Sequence, residues 1–374
     1  MSHVYRNACK LELEHKVLFS SRKGDNSKFS KNFELMRDFI LKTTDFKVDF
    51  FNLEYPHVST AQYMMNCAEL VRRVATSEIV FIDDASDCIS ALPLRKETTV
   101  INLWHACGAF KKFGMSTADA KFGGSRTDKL EHPFYENLSL VSVSSAEIVP
   151  NYIEAMALEE NPTIVQPLGV SRTDVFFDSD YVTQKATFVR ENLKALGGRK
   201  IILYAPTFRG HATAAKTPEA LNLSEMEREL GNDYILLIKN HPYIKYKSHE
   251  LPPFAYDISD KFVIEDLMMA ADICITDYSS LAYEYALLDR PLIYFCYDID
   301  EYEDWRGFYY NYDEITPGPK CKTTAEVIAA IKTSDSQEFK DKRREFRGRF
   351  MNACNGGSTE RIWKRVVELY NDRI

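Results

Sequence analysis

The sequence predicts an α/β protein built from two doubly wound domains. Apolar strands alternate with amphipathic helical stretches along both halves of the 374 residues. The strands are continuously apolar rather than alternating, which is typical of parallel strands that are buried on both faces. A chain of this length also exceeds one ordinary hydrophobic core, so two domains are expected.

The first half contains strand patterns separated by amphipathic segments such as FSKNFELMRDFILKT and STAQYMMNCAELVRRVA. The predicted strands are KVLFSS (16–21), KVDFFNL (47–53), EIVFIDD (78–84), TTVINLWHA (98–106) and LSLVSVSS (138–145). TIVQPLGVSRTDVFF (163–177) leads out of this half, and a helix that ends on a glycine pair follows it. We therefore expect an N-terminal Rossmann-like domain over residues 1–175.

The second half repeats the alternation. Its predicted strands are KIILYAPTFR (200–209), YILLIKNHP (234–242), FVIED (262–266), ICITDY (273–278) and PLIYFCY (291–297), and two helices follow around residues 323–352 and 357–374. This pattern predicts a second Rossmann-like domain over residues 176–356 and a final helix, 357–374, that packs back towards the N-terminal domain. Two such arrays imply domains that face each other across a cleft, with ligands at the carboxyl ends of the strands.

Composition excludes several classes of protein. The formal net charge of −8 gives no overall attraction to nucleic acid or to anionic lipid. The eight cysteines form no CxxC pair, and several fall within apolar strands, as expected for reduced core residues of a cytosolic protein. The N-terminal segment lacks the apolar stretch of a signal peptide, and no apolar run approaches the length of a membrane span.

The turn at residues 277–280 is the most informative local pattern. The strand ICIT runs directly into Asp277-Tyr278-Ser279-Ser280, and the helical stretch LAYEYALLD follows. Free backbone N–H groups and hydroxyls at such a helix start can bind a phosphate. The alternative is an ordinary N-cap, because Asp and Ser begin many helices.

Other polar residues also follow the predicted strands. His105 follows TTVINLW, Thr207 and Arg209 follow KIILYAP, and Lys239, Asn240 and His241 follow or end YILLI. A neutral imidazole can deprotonate a hydroxyl near neutral pH, and an imidazolium can stabilise a departing phosphate. Lysine and arginine would add positive charge for the same phosphate, so the strand ends suit phosphoryl transfer without a metal.

Five segments together resemble the CDP-glycerol glycerophosphotransferases, the family of teichoic acid glycerol and ribitol phosphate primases and polymerases. They are the strand-final WH, LYAPTFR, IKNHP, AADICITDYSSLAYEYALLDRPLIYF and YDIDEYEDWRGFYYNYDEITPGP. The resemblance covers most of residues 98–370. It implies a GT-B-like fold, no metal and no cofactor, an N-terminal acceptor domain and a C-terminal domain that binds the CDP-polyol. It also implies a lipid-linked acceptor and a cytoplasmic protein that is peripheral at the inner face of the cell membrane.

The resemblance assigns roles to particular positions. His105 is expected to be the base for the acceptor hydroxyl, and His241 is expected to contact the donor pyrophosphate. Arg172 occupies the place of a family arginine that follows Gly-x-Pro, and Glu284 could hold polyol or ribose hydroxyls. The other positions expected to bind substrate, from the motifs and the strand ends together, are Trp104, Pro206, Thr207, Arg209, Lys239, Asn240, Asp277, Ser279, Ser280 and Arg306.

Two departures from the family pattern affect the N-terminal domain. The usual WHG reads Trp104-His105-Ala106 here, and Ser171 replaces the proline before Arg172. The first departure lies beside the expected base, so it bears on the acceptor and on catalysis. The donor motifs of the C-terminal half are intact.

Three further patterns resemble a metal site or a contact surface. Asp298-Ile299-Asp300 imitates a DxD metal motif, but it precedes more acidic residues and is interpreted as a solvated acidic loop. The basic run KDKRREFRGRF (340–350) is either a solvated helix face or a contact with nucleic acid or membrane. FKKFGMSTADAKFGG (110–124) is the other candidate for contact with a lipid surface.

The expected reaction is transfer of a polyol phosphate, CDP-glycerol being the first choice of donor, to a hydroxyl of a lipid-linked glycan or polyol phosphate acceptor, with release of CMP. No nucleic acid partner is expected. CDP-ribitol as the donor is a close alternative, because the same motifs serve both polyols. A nucleotide-sugar glycosyltransferase of the same fold and a non-enzymatic binder are the remaining alternatives.

Overall fold

The computed structural model describes residues 1–23, 26, 28–121, 123–193, 196–210, 218, 220–242, 244 and 251–373. Within these residues the chain forms two compact units, each with a six-stranded parallel sheet. Unit 1 comprises Met1–Gly108, Lys112–Asp174 and Asn352–Ile374. Unit 2 comprises Ala109–Lys111 and Val175–Met351.

Unit 1 has the strand order β2-β1-β3-β4-β5-β6. Its strands are β1 (Glu14–Ser20), β2 (Lys47–Phe50), β3 (Ser77–Ile82), β4 (Thr99–Asn102), β5 (Leu140–Ser142) and β6 (Val165–Gln166). Its helices are α1 (Ser2–Ala8), α2 (Lys31–Thr43), α3 (Thr60–Ala75), α4 (Asp87–Ser90), α5 (Arg126–Glu131), α6 (Val149–Met156) and the last helix of the chain, α15 (Ser358–Asn371). The order reverses at β1, and ligands bind at such switch points in doubly wound sheets.

Local chemistry explains where the helices of unit 1 begin. The Ser30 hydroxyl accepts the Phe33 N–H at the start of α2, and the Ser59 hydroxyl accepts the Gln62 N–H at the start of α3. The core below the sheet consists of side chains from β1, β3, β4, β5, α2 and α15, among them Phe19, Phe33, Phe81, Ile101 and Trp363. These side chains are 6% exposed or less, so α15 is an integral part of the core of unit 1.

Unit 2 has the strand order β12-β11-β10-β7-β8-β9, which from the other edge is the order of dinucleotide-binding sheets. Its strands are β7 (Lys200–Tyr204), β8 (Tyr234–Ile238), β9 (Ala255–Asp257), β10 (Ile273–Thr276), β11 (Leu292–Phe295) and β12 (Lys320–Cys321). Its helices are α7 (Ser179–Glu191), α8 (Leu223–Leu230), α9 (Ile264–Ala270), α10 (Leu281–Ala286), α11 (Ile299–Arg306), α12 (Tyr312–Ile315), α13 (Thr324–Thr333) and α14 (Gln337–Phe350). The switch point lies between β7 and β10.

The predicted fold class, two doubly wound α/β domains of the GT-B-like kind, is confirmed, with local corrections. FVIED is not a strand: its last residues begin α9, where Glu265 and Asp266 in the first turn favour the positive end of the helix dipole. The strand in that part of the sheet is β9, and the two-residue β12 is too short for a sequence signal. The helix predicted over 323–352 is divided into α13 and α14. None of the helices in the described ranges is long and apolar enough to cross a membrane.

Candidate active site

The exposed His105 lies in unit 1, three residues beyond the end of β4. Its Nδ1 is 3.0 Å from the main-chain oxygen of Asp83, which follows β3. A carbonyl oxygen only accepts hydrogen bonds, so Nδ1 must carry the hydrogen. The neutral ring then has its lone pair on Nε2, as a general base requires.

Trp104 holds His105 in this position. Its backbone has φ = 53°, a conformation that costs an L-residue on the order of 1–2 kcal/mol. Two hydrogen bonds of 2.8 Å stabilise it: the Trp104 N–H donates to Asn102 Oδ1, and the Trp104 carbonyl accepts from Asn32 Nδ2. The indole ring stacks on the imidazole with 4.5 Å between ring centroids. Trp104 is buried and positions His105, and its predicted contact with substrate stays a prediction.

Two carboxyl groups next to His105 escaped the sequence reasoning. Burial raises the pKa of Asp83 to about 6, although a hydrogen bond with Ser21 and the charge of His105 oppose the shift. Burial also disfavours ionised Asp84, but His105 and Lys23, whose Nζ lies 3.1 Å from Asp84 Oδ2, outweigh it and lower the pKa of Asp84. The available signal was the pair of aspartates at the end of EIVFIDD, in the strand next to TTVINLW.

The structure also explains how alanine fits in place of the family glycine. The residues of this loop with positive φ are Trp104 and Gly108, so Ala106 needs no left-handed backbone. Gly108, at φ = 61°, donates its N–H to Ser144 Oγ at 3.2 Å. The departure at position 106 therefore introduces no backbone strain beside His105.

Arg172 belongs to the same end of the sheet. Its main-chain N–H donates to Asn32 Oδ1 at 2.8 Å, and the Asn32 amide group also holds the Trp104 carbonyl. Asn32 therefore connects the predicted residues Trp104, His105 and Arg172, and it was itself missed. Ser171, which replaces the family proline, is buried.

In unit 2, the carboxylate of Asp277 joins the loops that follow β7 and β10. Asp277 Oδ1 accepts the Thr207 N–H at 2.9 Å, and Oδ2 accepts the Thr207 hydroxyl at 2.9 Å. Burial raises the pKa of Asp277, while Arg209 and Thr207 oppose the shift. The carboxylate accepts hydrogen bonds from its own loops, so Asp277 has a framework role, and its predicted contact with substrate stays a prediction.

Arg209 is likewise bonded within unit 2. Its Nε and Nη2 donate to the two carboxylate oxygens of Asp298 at 2.5 and 2.9 Å. Its Nη1 is 3.0 Å from Asp277 Oδ2 and 2.8 Å from the Thr207 carbonyl. Burial disfavours the charged guanidinium, but the two carboxylates outweigh it and raise the pKa of Arg209. Its charge is thus balanced by two carboxylates of the protein, and the predicted contact of Arg209 with the leaving group stays a prediction.

The same ion pair corrects the interpretation of Asp298-Ile299-Asp300 as a solvated loop. Asp298 accepts hydrogen bonds from Arg209 and from the Tyr278 hydroxyl, the latter at 2.9 Å. Its side chain is 13% exposed. Across the described ranges, no group of three or more His, Cys, Asp or Glu residues is arranged to hold a metal ion.

Lys239 also turns inward. Its ammonium donates to the main-chain oxygens of Ser259 and Phe262 at 2.5 and 2.6 Å. Burial lowers the pKa of Lys239, and nearby acidic residues, Asp260 first, oppose the shift. Two of its three N–H donors thus hold the loop after β9, and the prediction that Lys239 supplies charge to a phosphate stays a prediction.

Asn240 and His241 follow β8 at the same end of the sheet. The Asn240 N–H is held by Ser259 Oγ at 2.9 Å. Asn240 is 7% exposed, and no group in the described part of the chain bonds its Oδ1. A buried acceptor without a protein partner suits a ligand donor group. The half-buried His241 ring lies against Phe208, with centroids 4.8 Å apart.

The predicted phosphate turn lies at the switch point of unit 2. Ser279 Oγ accepts the Leu281 N–H at 3.2 Å, which is the capping role of the alternative interpretation. Ser280, the residue before α10, makes no side-chain capping bond. Pro206 is buried directly after β7, and Glu284 is buried one turn into α10. Since α10 has only six residues, hydroxyls and N–H groups matter more here than a helix dipole.

Arg306 is the last residue of α11, and Gly307 ends that helix with φ = 79°. Burial lowers the pKa of Arg306, and Tyr302 opposes the shift. Lys111, which the sequence reasoning did not select as a site residue, belongs to unit 2 and interacts with Arg306, Asp277 and Arg209 through its charge.

The comparisons of this chain with known protein sequences agree on one family. The family described as CDP-glycerol:poly(glycerophosphate) glycerophosphotransferase matches residues 3–368. A teichoic acid poly(ribitol-phosphate) polymerase of Bacillus spizizenii is 35% identical over 362 residues, and a teichoic acid ribitol-phosphate primase of the same organism is 32% identical over 360. Both alignments cover 94% of this chain, which spans 56% of the polymerase and 91% of the primase. A teichoic acid glycerol-phosphate primase of Bacillus subtilis is 30% identical over 307 residues, covering 78% of this chain and 74% of the primase.

A solved structure of the wall teichoic acid polymerase TagF, in its H444N variant, has a TM-score of 0.78 to this chain. The alignment covers 96% of this chain and 90% of TagF, at 22% identity. At this level of identity the match establishes the fold.

Proposed function

Because this chain belongs to the CDP-glycerol:poly(glycerophosphate) glycerophosphotransferase family, we propose that it transfers a polyol phosphate from a CDP-polyol to an acceptor hydroxyl and releases CMP. The observation that carries the proposal is the hydrogen bond between His105 Nδ1 and the Asp83 carbonyl. That bond assigns the hydrogen to Nδ1 and leaves the exposed Nε2 free to take a proton. Displacement by a hydroxyl needs such a base, and this tautomer of His105 supports the proposal that it is the base.

The proposed reaction proceeds by displacement at phosphorus. His105 Nε2 takes the proton of the acceptor hydroxyl, whose oxygen forms a bond to the β-phosphorus of the donor. The bond from that phosphorus to the bridging oxygen breaks, and CMP departs with the electron pair. His241 lies at the carboxyl end of unit 2's sheet, where we propose that it hydrogen-bonds the departing phosphate.

Asn240, Thr207, Ser279 and Ser280 are proposed to hold the CDP-polyol in unit 2. The buried and otherwise unpartnered Asn240 Oδ1 suits a donor such as an amino or hydroxyl group of the nucleotide. The Ser280 hydroxyl, which caps no helix N–H, suits a phosphate oxygen. Glu284, one turn into α10, is proposed to act on the polyol or ribose hydroxyls.

Two polyols are candidates for the donor. CDP-glycerol is the donor expected from the family as a whole, and one TagF structure was obtained with "CDPG" soaked in. CDP-ribitol is favoured by a specific observation: two ribitol-phosphate enzymes align with 94% of this chain. The glycerol-phosphate primase and polymerase of Bacillus subtilis align with 78% and 67%.

We further propose a metal-independent protein that acts in the cytoplasm at the inner face of the cell membrane, on a lipid-linked glycan or polyol phosphate acceptor. The basic helix α14 offers limited support for the membrane contact. Its Lys340, Lys342, Arg344 and Arg347 each lie within 3.1 Å of a carboxylate oxygen. Phe346 and Phe350 are buried in unit 2, so the predicted interfacial face of this helix is largely paired or packed.

The second candidate surface, residues 110–124, is also partly buried. The Phe113 ring packs against Trp104 and Tyr152, with centroids 4.9 and 5.2 Å apart. Phe122 lies outside the described residues. Membrane association is therefore best tested directly, by sedimentation with vesicles that contain anionic lipid.

The experiment that tests the function is CMP release from CDP-glycerol and from CDP-ribitol, with and without a lipid-linked disaccharide-type acceptor. We expect acceptor-dependent CMP from one of the two donors, and that donor names the polyol. Release of a nucleoside diphosphate from a sugar nucleotide would instead establish a glycosyltransferase. A protein that binds the acceptor but releases no nucleotide from any donor would be a non-enzymatic binder.

A further inference from the structure

The expected donor carries a diphosphate, and a buried diphosphate site needs positive charge. The sequence offered Arg209 and Lys239 for this purpose. Arg209 is neutralised by Asp277 and Asp298, and the Lys239 ammonium is held by two main-chain oxygens. A further cation of unit 2 would add positive charge for the diphosphate.

Lys111 is held firmly beside the segment that follows α11. Its backbone forms an antiparallel bridge with Phe308, and the Tyr309 N–H donates to the Phe110 carbonyl at 2.9 Å. The buried Phe110 ring packs against Tyr283, with centroids 4.6 Å apart. The short segment Ala109–Lys111 is thus part of unit 2 and carries its lysine beside α11 and the turn at Asp277.

The surroundings of Lys111 disfavour its positive charge. Its half-buried side chain has a pKa lowered to about 7, first by burial and then by repulsion from Arg306. Asp277 attracts it, but the Asp277 carboxylate already accepts from Thr207 and Arg209. Burial lowers the pKa of Arg306 as well. Burial disfavours the charge of both cations, and Arg306 also disfavours the charge of Lys111, so an added anion would stabilise both.

We propose that Lys111, together with Arg306, binds the diphosphate of the CDP-polyol and stabilises the phosphate of the departing CMP. This inference rests on the proposed function, since it names the charge that the donor site needs. It assigns to the donor diphosphate Arg306, which the sequence predicted only as a substrate-binding residue. A purely structural lysine, whose stem only fills space beside Phe308, is the alternative.

The test compares phosphate-dependent binding in Lys111→Met and in the wild type by calorimetry. The ligands are CDP, CMP and cytidine, and a glycerol phosphate oligomer stands in for the acceptor. We expect Lys111→Met to weaken CDP binding about 10- to 100-fold and to leave cytidine binding unchanged. Lys111→Arg should retain most of the CDP affinity, and the adjacent Lys112→Met, the matched control, should bind CDP as the wild type does.

Proton uptake provides a readout that a structural role would not change. At pH 8 free Lys111 is mostly neutral, so an anion that raises its pKa must bring about uptake of nearly one proton. At pH 6 the lysine is already mostly protonated, so the difference in proton uptake between the wild type and Lys111→Met should be close to zero. Calorimetry in buffers of different ionisation enthalpy measures this number, and Lys111→Met should abolish the uptake at pH 8.

The possible results distinguish failure of the proposed function from failure of the role of Lys111. A wild type that binds neither CDP nor CMP would overturn the proposed function. A wild type that binds CDP, with an equal affinity and equal proton uptake in Lys111→Met, would overturn only the role of Lys111. Weaker binding of the glycerol phosphate oligomer, with CDP unaffected, would overturn the donor assignment and place the acceptor at Lys111.

Discussion

The two sheets present polar side chains at their carboxyl ends in opposite ways. In unit 1, His105 is exposed and is held through one ring nitrogen and one stacked indole. In unit 2, Thr207, Arg209 and Asp277 are largely buried and bond one another. A base needs an accessible lone pair, whereas a loop that binds phosphate needs a fixed backbone. The same fold therefore presents an exposed imidazole, the proposed base, in one unit and a buried hydrogen-bonded frame in the other.

Removing the imidazole should have the largest effect on activity. We expect His105→Ala to lower the rate of CMP formation by roughly 10²- to 10⁴-fold, the usual contribution of a general base, with CDP affinity unchanged. Single-turnover assays and calorimetry would measure the two quantities. His132→Ala, an exposed histidine at the end of α5, is the matched control. Wild-type turnover in His105→Ala would mean that the exposed side chain of unit 1 is not the base.

Breaking the frame of unit 2 should affect stability instead. Arg209→Met leaves the buried Asp277 and the nearly buried Asp298 without their partner, so we expect a loss of about 3 kcal/mol in the free energy of unfolding. Chemical denaturation would measure it. Arg228→Met, which removes an arginine that is 69% exposed, should change stability by less than about 0.5 kcal/mol. Equal losses in the two variants would contradict the rigid-frame interpretation.

Asp83 tests the electrostatics around the base. Its pKa is raised in the folded protein to about 6, so the folded state binds the extra proton and Asp83 costs stability once it ionises. Stability from this residue should therefore fall as pH rises from about 4 to about 6, and then remain constant. We expect Asp83→Asn to be more stable than the wild type at pH 7.5, by on the order of 2 kcal/mol.

At pH 4.5 this advantage of Asp83→Asn should largely disappear, because the wild-type carboxyl is then mostly protonated. Asp45→Asn, which changes a carboxylate with a 94% exposed side chain, is the control. Chemical denaturation of both variants and the wild type at the two pH values would measure the free energies of unfolding. A pH-independent effect of Asp83→Asn would show that packing, and not charge, accounts for its stability.

The smallest effect is expected at the departure from the family motif. Because Ala106 does not use positive φ, Ala106→Gly should change turnover less than twofold. It should also lower stability by about 0.4–1 kcal/mol, since glycine gains freedom in the unfolded chain. Thermal unfolding and the CMP assay would measure both. A large gain in turnover would mean that the alanine itself restricts His105.

Much of the fold followed from local patterns. The runs KVLFSS and KIILYAP became β1 and β7 because continuous apolar segments of this length are stable when buried on both faces. The prediction of a strand at FVIED was wrong, because five residues do not distinguish a strand from the start of a helix. Which of two neighbouring segments enters the sheet was decided by pairing, with β9 bonded to β8.

The candidate site was only partly accessible to the same reasoning. Sequence placed His105, Thr207 and Ser280 at strand ends, because the carboxyl ends of parallel strands meet at one edge. It missed Asn32, Asp83 and Lys111, because their importance depends on neighbours distant in the chain. Asn32, for example, bonds Trp104 and Arg172, which lie 72 and 140 residues away.

By itself, the sequence determined the two parallel sheets, the family and the positions of the strand-end residues, because apolar runs and motifs are local properties. The tertiary structure alone decided what each charge does. Arg209 and Lys111 are both cations in the sequence, yet Asp298, 89 residues from Arg209, neutralises the first. Arg306, together with burial, destabilises the charge of the second. Whether a charge is neutralised by the protein or left for a ligand depends on long-range packing and burial.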